Sequence, residues 1–483
     1  MKHDIFYTPR DQYVGMPHAT MCGDFMPYYW QKEFYLFFLK DECVYLTRTK
    51  DFVSFSEAEM VIKRGGDEDQ EWHVGTGSVC RMGEKFYFYY TGFRNPDTIS
   101  PERHEQVIMR AISEDLLNWE KDSSFFMVPD QEHCADGHWR DPDVSWNEEI
   151  GKYVMLVTAT EKEGADYRRG CTVIYVSDDC DHWKFYKITY APRIFITHEC
   201  NNAFKMGDKW YLIFSCFNNW WETRYRYADS LEGPWIEPAN DDMFDGRQFY
   251  AAKTVSDGVH RYLVGWQSVK RDCDDAAKCI WGGTLLAHEL VQKENGELEV
   301  KPLETVVNAY CEKVELIPEK VQGDWRIGNA IIGEEKQGFG WCELGGLKPE
   351  CMFETDVIWE EGTRYVGIML HTEDRNLSKW CQLRLECCKN RIVMDRFNRR
   401  DGDQSYIEER PVAFKDNKAH IQIFMSGNII VSYVNGTALA SRCYSTGIGG
   451  IGVFVENGKC QYENYHLAEK CNQEKVTDGT IID

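Results

Sequence analysis

Five times in the first 270 residues a short polar turn leads into a dense aromatic-aliphatic run. The runs are Phe34–Leu39, Phe86–Thr91, Tyr153–Thr158, Trp210–Ser215 and Tyr262–Trp266. Bounded by charged turns such as Gly83-Glu84-Lys85 and Gly207-Asp208-Lys209, they read as buried strands. A second phrase repeats with them, a polar turn that ends in an aromatic: Thr49–Phe55, Ser113–Trp119, Ser177–Trp183 and Asp229–Trp235. Its aromatics recur at roughly 50–65 residue intervals, close to the length of a β-propeller blade. A weaker fifth copy begins at His288, after the fifth run. Five blades over residues 1–300 are therefore expected.

Beyond about residue 300 the aromatic repeat stops. Alternating strands separated by Gly, Asn and Asp turns follow, among them the runs beginning at Cys351, Tyr365, Trp380, His420 and Ile429. Short strands at this spacing, without helical periodicity, point to a β-sandwich over 325–483. Residues 301–324 are read as a linker with room for a short helix. The fold class is all-β, a five-bladed β-propeller followed by a C-terminal β-sandwich.

Composition narrows the partners. A net charge of −24 over 483 residues repels nucleic acid and anionic membranes and suits a neutral small-molecule substrate. The start Met1–Tyr7 has no apolar signal core, and no run approaches the eighteen apolar residues of a membrane span. Aromatics reach 14%, with 16 Trp, which fits both strand propensity and a carbohydrate cleft. The 19 Cys include no CxxC pair and no zinc-spaced cluster, so reduced thiols in a cytoplasmic protein are expected. No metal or other cofactor is implied. Oligomeric state is left open, a homodimer being one option.

The chemistry lies in three acids. Asp24, Asp141 and Glu199 each stand about ten to twelve residues before an aromatic run, at the start of what should be an inner strand of a blade. Inner strands line the central channel, so a repeat that returns acids to one position gathers them at its mouth. Glycoside hydrolysis needs such a set: one carboxylate to attack or activate water, and one carboxylic acid to protonate the leaving oxygen. Taken singly, each acid also reads as a turn residue or strand-end cap, and Asp141-Pro142 as a turn initiator. His133, His138 and His198 lie near the acids in sequence but lack metal-site spacing.

These residues resemble glycoside hydrolase family 32, the invertase, inulinase and levanase family. The likeness rests on Arg140-Asp141-Pro142 and Glu199-Cys200, on Gly75–Val79 with Tyr89–Gly92, and on Phe249–Thr254 with Leu263–Trp266 and Trp281–Leu290. The resemblance implies Asp24 as nucleophile, Glu199 as general acid/base and Asp141 as transition-state stabiliser. It also implies retaining hydrolysis of terminal β-fructofuranosides without a metal. On that reading Asp24 stays ionised while burial raises the pKa of Glu199. Arg140 holds negative charge nearby, Ser78 is a candidate sugar contact, and Trp72, Trp266 and Trp281 are either furanose walls or packing residues.

The first motif departs from the family. The nucleophile there is preceded by Asn and followed by Pro-Asn-Gly, whereas here the run is Gly23-Asp24-Phe25-Met26-Pro27. Two rival readings stand beside the fructosidase: an inverting pentoside hydrolase of the family 43 type, and a non-catalytic sugar-binding propeller.

Overall fold

The computed structural model describes residues 2, 3, 6, 21–100, 103–135, 137–218, 220–397, 407–444 and 447–471. They fall into two compact units, Met1–Val269 with Cys279–Glu299, and Lys270–Lys278 with Val300–Asp483. The first is the five-bladed propeller expected from the repeat. Its blades open with the inner strands Gly23–Trp30, His73–Met82, Arg140–Asn147, Glu199–Met206 and Phe249–Ser256. Each is followed by an antiparallel middle strand that carries the aromatic run: Glu33–Lys40, Lys85–Phe93, Lys152–Thr160, Lys209–Cys216 and Arg261–Lys270.

The aromatic runs do the packing between blades. Phe37, Phe88 and Trp119 meet edge to face at 5.2–5.7 Å between blades one and two. Tyr89 meets Trp183 at 5.7 Å between blades two and three. Both tryptophans end the repeated polar-turn phrase. Ser113 and Ser177 accept backbone N–H groups within those turns, at Leu116 and Cys180, and fix how each indole re-enters the core. Side chains of this size bury large apolar areas, and edge-to-face geometry adds specificity to that burial.

The second unit is sandwich-like. Its longest strands, Ile331–Gly346 and Gly450–Glu469, pair with each other along most of their length. Gly450–Glu469 pairs by its first half with Tyr365–Thr372 and by its second with Glu350–Trp359, so one strand passes from one sheet to the other. Ile331, Phe353, Ile368, Leu383, Ile421 and Val453, each fully buried, form the core that results. In the stretch 301–324 stand the helix Glu304–Asn308 and the strands Glu312–Val314 and Glu319–Gln322, both paired into this sheet. No helix among the described residues is long and apolar enough to cross a membrane.

One expectation about cysteine is corrected. Cys311 and Cys471 form a disulfide, with Cα atoms 5.3 Å apart and 160 residues between them in sequence. The sequence offered no signal for it, because the pairing strands Glu312–Val314 and Gly450–Glu469 bring the two ends together only in the fold. The other cysteines are free thiols, most of them buried as small apolar side chains.

Glycine carries weight at Gly77, where the inner strand of blade two runs against its middle strand. A Cβ there would lie 1.8 Å from the Tyr89 carbonyl oxygen and 2.8 Å from the Tyr90 Cα, both backbone atoms that cannot swing aside. Gly77→Ala is therefore expected to cost about 3 kcal/mol or more of unfolding free energy in denaturant titrations. A variant with the wild-type midpoint would refute this account of the strand contact.

Candidate active site

All five inner strands break register at the same place. In blade one Gly23 pairs with Leu39 and Met26 with Phe37, so Asp24 and Phe25 stand opposite Phe38 alone. The same two-for-one bulge holds Gly75 and Thr76, Asp141 and Pro142, Cys200 and Asn201, and Ala251 and Ala252. A bulge of this kind turns its strand and re-aims side chains. The first bulge residue is left-handed in four blades: Asp24 (φ 51°), Asp141 (φ 58°), Cys200 (φ 50°) and Ala251 (φ 52°).

Register corrects the expectation that the three acids share one position. Asp24 and Asp141 are equivalent, and the matching residue of blade four is Cys200. Glu199 stands one residue earlier, where blade three has Arg140 and blade five has Tyr250. Two sets of side chains thus meet at the channel mouth, the bulge carboxylates and the triplet Arg140, Glu199 and Tyr250.

Hydrogen bonds tie the sets together. Thr76 Oγ1 donates to Asp24 Oδ2 at 2.7 Å, and the Trp266 indole N–H donates to Asp24 Oδ1 at 3.1 Å. The Cys200 backbone N–H donates to Asp141 Oδ2 at 2.9 Å, while Thr91 Oγ1 accepts the Asp141 N–H at 2.9 Å. Arg140 Nη2 donates to Glu199 Oε1 at 2.5 Å, and the Tyr250 hydroxyl donates to Glu199 Oε2. Arg140 Nε lies 3.7 Å from Asp141 Oδ2, and Arg140 Nη1 donates to His138 Nδ1 at 2.8 Å. One guanidinium therefore spans two of the three acids. A cavity of about 190 Å³ opens over Asp24, Asp141 and Glu199, with His73, Phe93 and Trp281 among its walls.

Burial sets the charge. It pushes the Asp24 carboxyl up to about 7, helped by Asp141 and Glu199 and opposed by the donors on Thr76 and Trp266. Asp141 is also raised by burial and by Glu199, against Arg140 and the Cys200 N–H. Asp24, expected from the sequence to stay ionised, is thus held well above the usual carboxylate range. The physical reason is arithmetic: three carboxylates share one arginine in a desolvated space.

Among the other expected contacts, Arg140 and Trp281 line the cavity. Trp266 is wholly buried behind Asp24 and acts as a donor rather than a wall. Trp72 is half-buried beside the Arg64 guanidinium, 5.9 Å from its ring centre, and is not among the residues lining this cavity. Ser78 lies past the bulge, where its Oγ accepts the Val144 N–H at 2.8 Å, and it lines a different cavity. Sequence reading missed Thr76, Thr91, His73 and Tyr250. Aligning the blades one residue earlier would have found Tyr250 as the partner of Glu199.

Residues 23–302 match the family model described as glycosyl hydrolases family 32 N-terminal domain. A curated relative, sucrose-6-phosphate hydrolase of Escherichia coli, is 23% identical over 276 residues, 53% of this chain. The match spans about half, 54%, of that relative's length. Among solved structures, the exo-inulinase of Aspergillus awamori superposes with a TM-score of 0.73 at 14% identity, covering 98% of this chain and all, 100%, of the other. The β-fructofuranosidase of Aspergillus kawachii gives 0.74 at 15% identity, covering 97% and 95%. Sucrose-6-phosphate hydrolase of Lactobacillus gasseri gives 0.71 at 16%, covering 94% of each chain. These likenesses show the fold, and the family model, which takes in more than half of the chain, shows the lineage: this protein belongs to glycosyl hydrolases family 32.

Proposed function

We propose that this chain hydrolyses terminal β-fructofuranosides by a retaining double displacement. The observation that carries the reading is the convergence of Asp24, Asp141 and Glu199 on one small cavity, each acid held by a different donor set. Relatives described as β-fructofuranosidase, exo-inulinase and sucrose-6-phosphate hydrolase support the substrate class.

The roles are those that the resemblance to the family implies. Asp24 is fixed through both oxygens, and in its ionised form it attacks the anomeric carbon to give a fructosyl-enzyme ester. The Glu199 side chain keeps more access to the cavity than that of Asp141, 19% exposed against 5%. Glu199 protonates the leaving oxygen and then takes the proton of the attacking water. Asp141, buried and anchored by the Cys200 N–H, faces the positive charge that develops on the ring and grips its hydroxyls. Tyr250 and Arg140 position Glu199. At about 190 Å³ the cavity is well below the 300–1,000 Å³ of drug-sized sites, so it takes one sugar ring and removes terminal residues.

Three outcomes test this reading. Asp24→Asn and Glu199→Gln should each lower kcat by roughly 10³-fold or more on a fructoside that the wild type turns over, with β-fructose as the first product. Release of the opposite anomer, or turnover confined to pentosides, would overturn it. Tyr250→Phe, which keeps the ring and deletes one charge-assisted hydrogen bond, should cost roughly 10–100-fold in kcat with little change in KM.

The third outcome concerns pH. Attack needs ionised Asp24, so kcat/KM should fall as pH drops through about 7. Stability runs the other way. The folded pKa lies above the unfolded value, so ionising Asp24 costs stability progressively from about pH 4 to pH 7, and fully above that. Asp24→Asn should therefore stabilise the protein by up to roughly 4 kcal/mol at pH 8 and by little near pH 4. Equal unfolding midpoints for variant and wild type at pH 8 would remove the buried-charge account.

A further inference from the structure

The far half of the propeller channel holds a second and larger cavity, of about 590 Å³. Its walls come from the inner strands beyond the bulge, from Met26–Tyr29, Gly77–Val79, Asp143–Asn147, Asn202–Lys205 and Lys253–Ser256. The acids stand at the starts of the same strands, so the two cavities share one channel and face its opposite ends. Between them lies a buried partition. Lys253 Nζ donates to Asp143 Oδ1 at 3.0 Å, Asn202 Nδ2 donates to Asp143 Oδ2 at 2.9 Å, and the Gly77 N–H meets Met26 Sδ at 3.0 Å.

Arg261 is the cation of this cavity whose charge the fold leaves unanswered. Its guanidinium lies over the Phe204 ring, 4.2 Å from the centroid. Of the five N–H donors of an arginine, one reaches Thr254 Oγ1 at 2.9 Å, and among the described residues no carboxylate comes within ion-pair distance. Asp143, the acid that acts on it, is already held by Lys253 and Asn202. Lys205 is likewise spent on Glu149 at 2.6 Å. Burial pulls the Arg261 pKa down to about 10, as expected of a cation short of both water and a counter-charge. The cavity also carries aromatic faces, with Tyr28, Tyr29 and Trp210 in its walls and Trp146, 47% exposed, among its lining.

We infer that this far cavity is a second ligand site that takes a small sugar bearing an oxyanion, a phosphate or a carboxylate. The oxyanion pairs with the edge of the Arg261 guanidinium, and the ring lies against the aromatic walls. Its volume falls within the 300–1,000 Å³ typical of small-molecule sites. A guanidinium held over an aromatic ring, with one donor on Thr254 and the others unspent, is pre-organised for contact with such a group. Aromatic faces beside polar groups suit a ring that is apolar on one side and hydroxylated on the other.

The test is calorimetric titration of the whole chain at low salt with glucose 6-phosphate, glucuronate, inorganic phosphate and neutral glucose. One equivalent of glucose 6-phosphate or glucuronate should bind, and whichever binds identifies the oxyanion. Arg261→Gln should weaken that binding at least tenfold, about 1.4 kcal/mol, and Arg261→Lys should restore part of it. Asp24→Asn, which alters the acid pocket, should leave it in place. Trp146→Ala, in the exposed lining, should weaken the sugar several-fold and serves if Arg261→Gln fails to fold. Loss of binding in Asp24→Asn would place the ligand in the acid pocket and overturn the proposal. So would inorganic phosphate binding as tightly as the sugar ester, or no binding of either anionic sugar at about 10 mM.

Discussion

A two-for-one bulge at the start of each inner strand is the constraint on which the site depends. A regular strand would send alternate side chains to opposite faces and leave Asp24 and Asp141 packed between blades. The bulge breaks that alternation at one point and turns both carboxylates toward the channel. It does so at a cost, since four of the five blades hold a non-glycine residue in the left-handed region there, at about 1–3 kcal/mol each. Such a conformation persists only where the surroundings over-determine it. Here they do, through full ladders on the downstream side of every bulge and the edge-to-face aromatics that lock blade to blade.

The second cost is electrostatic and falls on the same residues. Three carboxylates and one guanidinium share a space with little water, and the donors are apportioned unevenly. Glu199 takes the strongest pair, Arg140 and Tyr250; Asp141 takes a backbone N–H and the flank of Arg140; Asp24 receives only the neutral donors of Thr76 and Trp266. The burden of neutralisation therefore falls on Asp24, whose pKa rises to about 7. A site of this sort is destabilised on its own account and is sustained by the packing around it.

The fold was legible in the sequence because the aromatic runs are both the repeat and the core. Runs such as Phe34–Leu39 and Trp210–Ser215 lie almost wholly inside, so composition and location coincide. The acids were legible for the same reason, as features of a repeated strand start. Their relative register was not, because a bulge adds a residue without leaving a mark in the pattern, and Glu199 was placed level with Asp24 when Cys200 is. Contacts across blades were equally hidden. Nothing in the Thr76 or Tyr250 segments says that their hydroxyls meet Asp24 and Glu199, and Ser78, two residues after Thr76, faces another cavity. The Cys311–Cys471 bond was hidden in the same way, by a sequence separation of 160.

The departure at Gly23 has a physical counterpart in the wall of the pocket. A Cβ on Gly23 would lie 2.9 Å from Trp281 Cζ2 and 3.1 Å from Trp266 Nε1, so the space beside Asp24 is already taken by the two indoles. Phe25, on the far side, is wholly buried against Phe38, and Met26 Sδ meets the Gly77 N–H. The residues that flank Asp24 thus turn to packing, and the Trp281 indole takes the space that a side chain on residue 23 would need. On the proposed reading, a sugar in this pocket meets an indole face on this side. Such a face favours the apolar side of the ring over its hydroxyl pattern. Discrimination among furanosides then rests on Asp141, Arg140 and His73 rather than on the strand that carries Asp24.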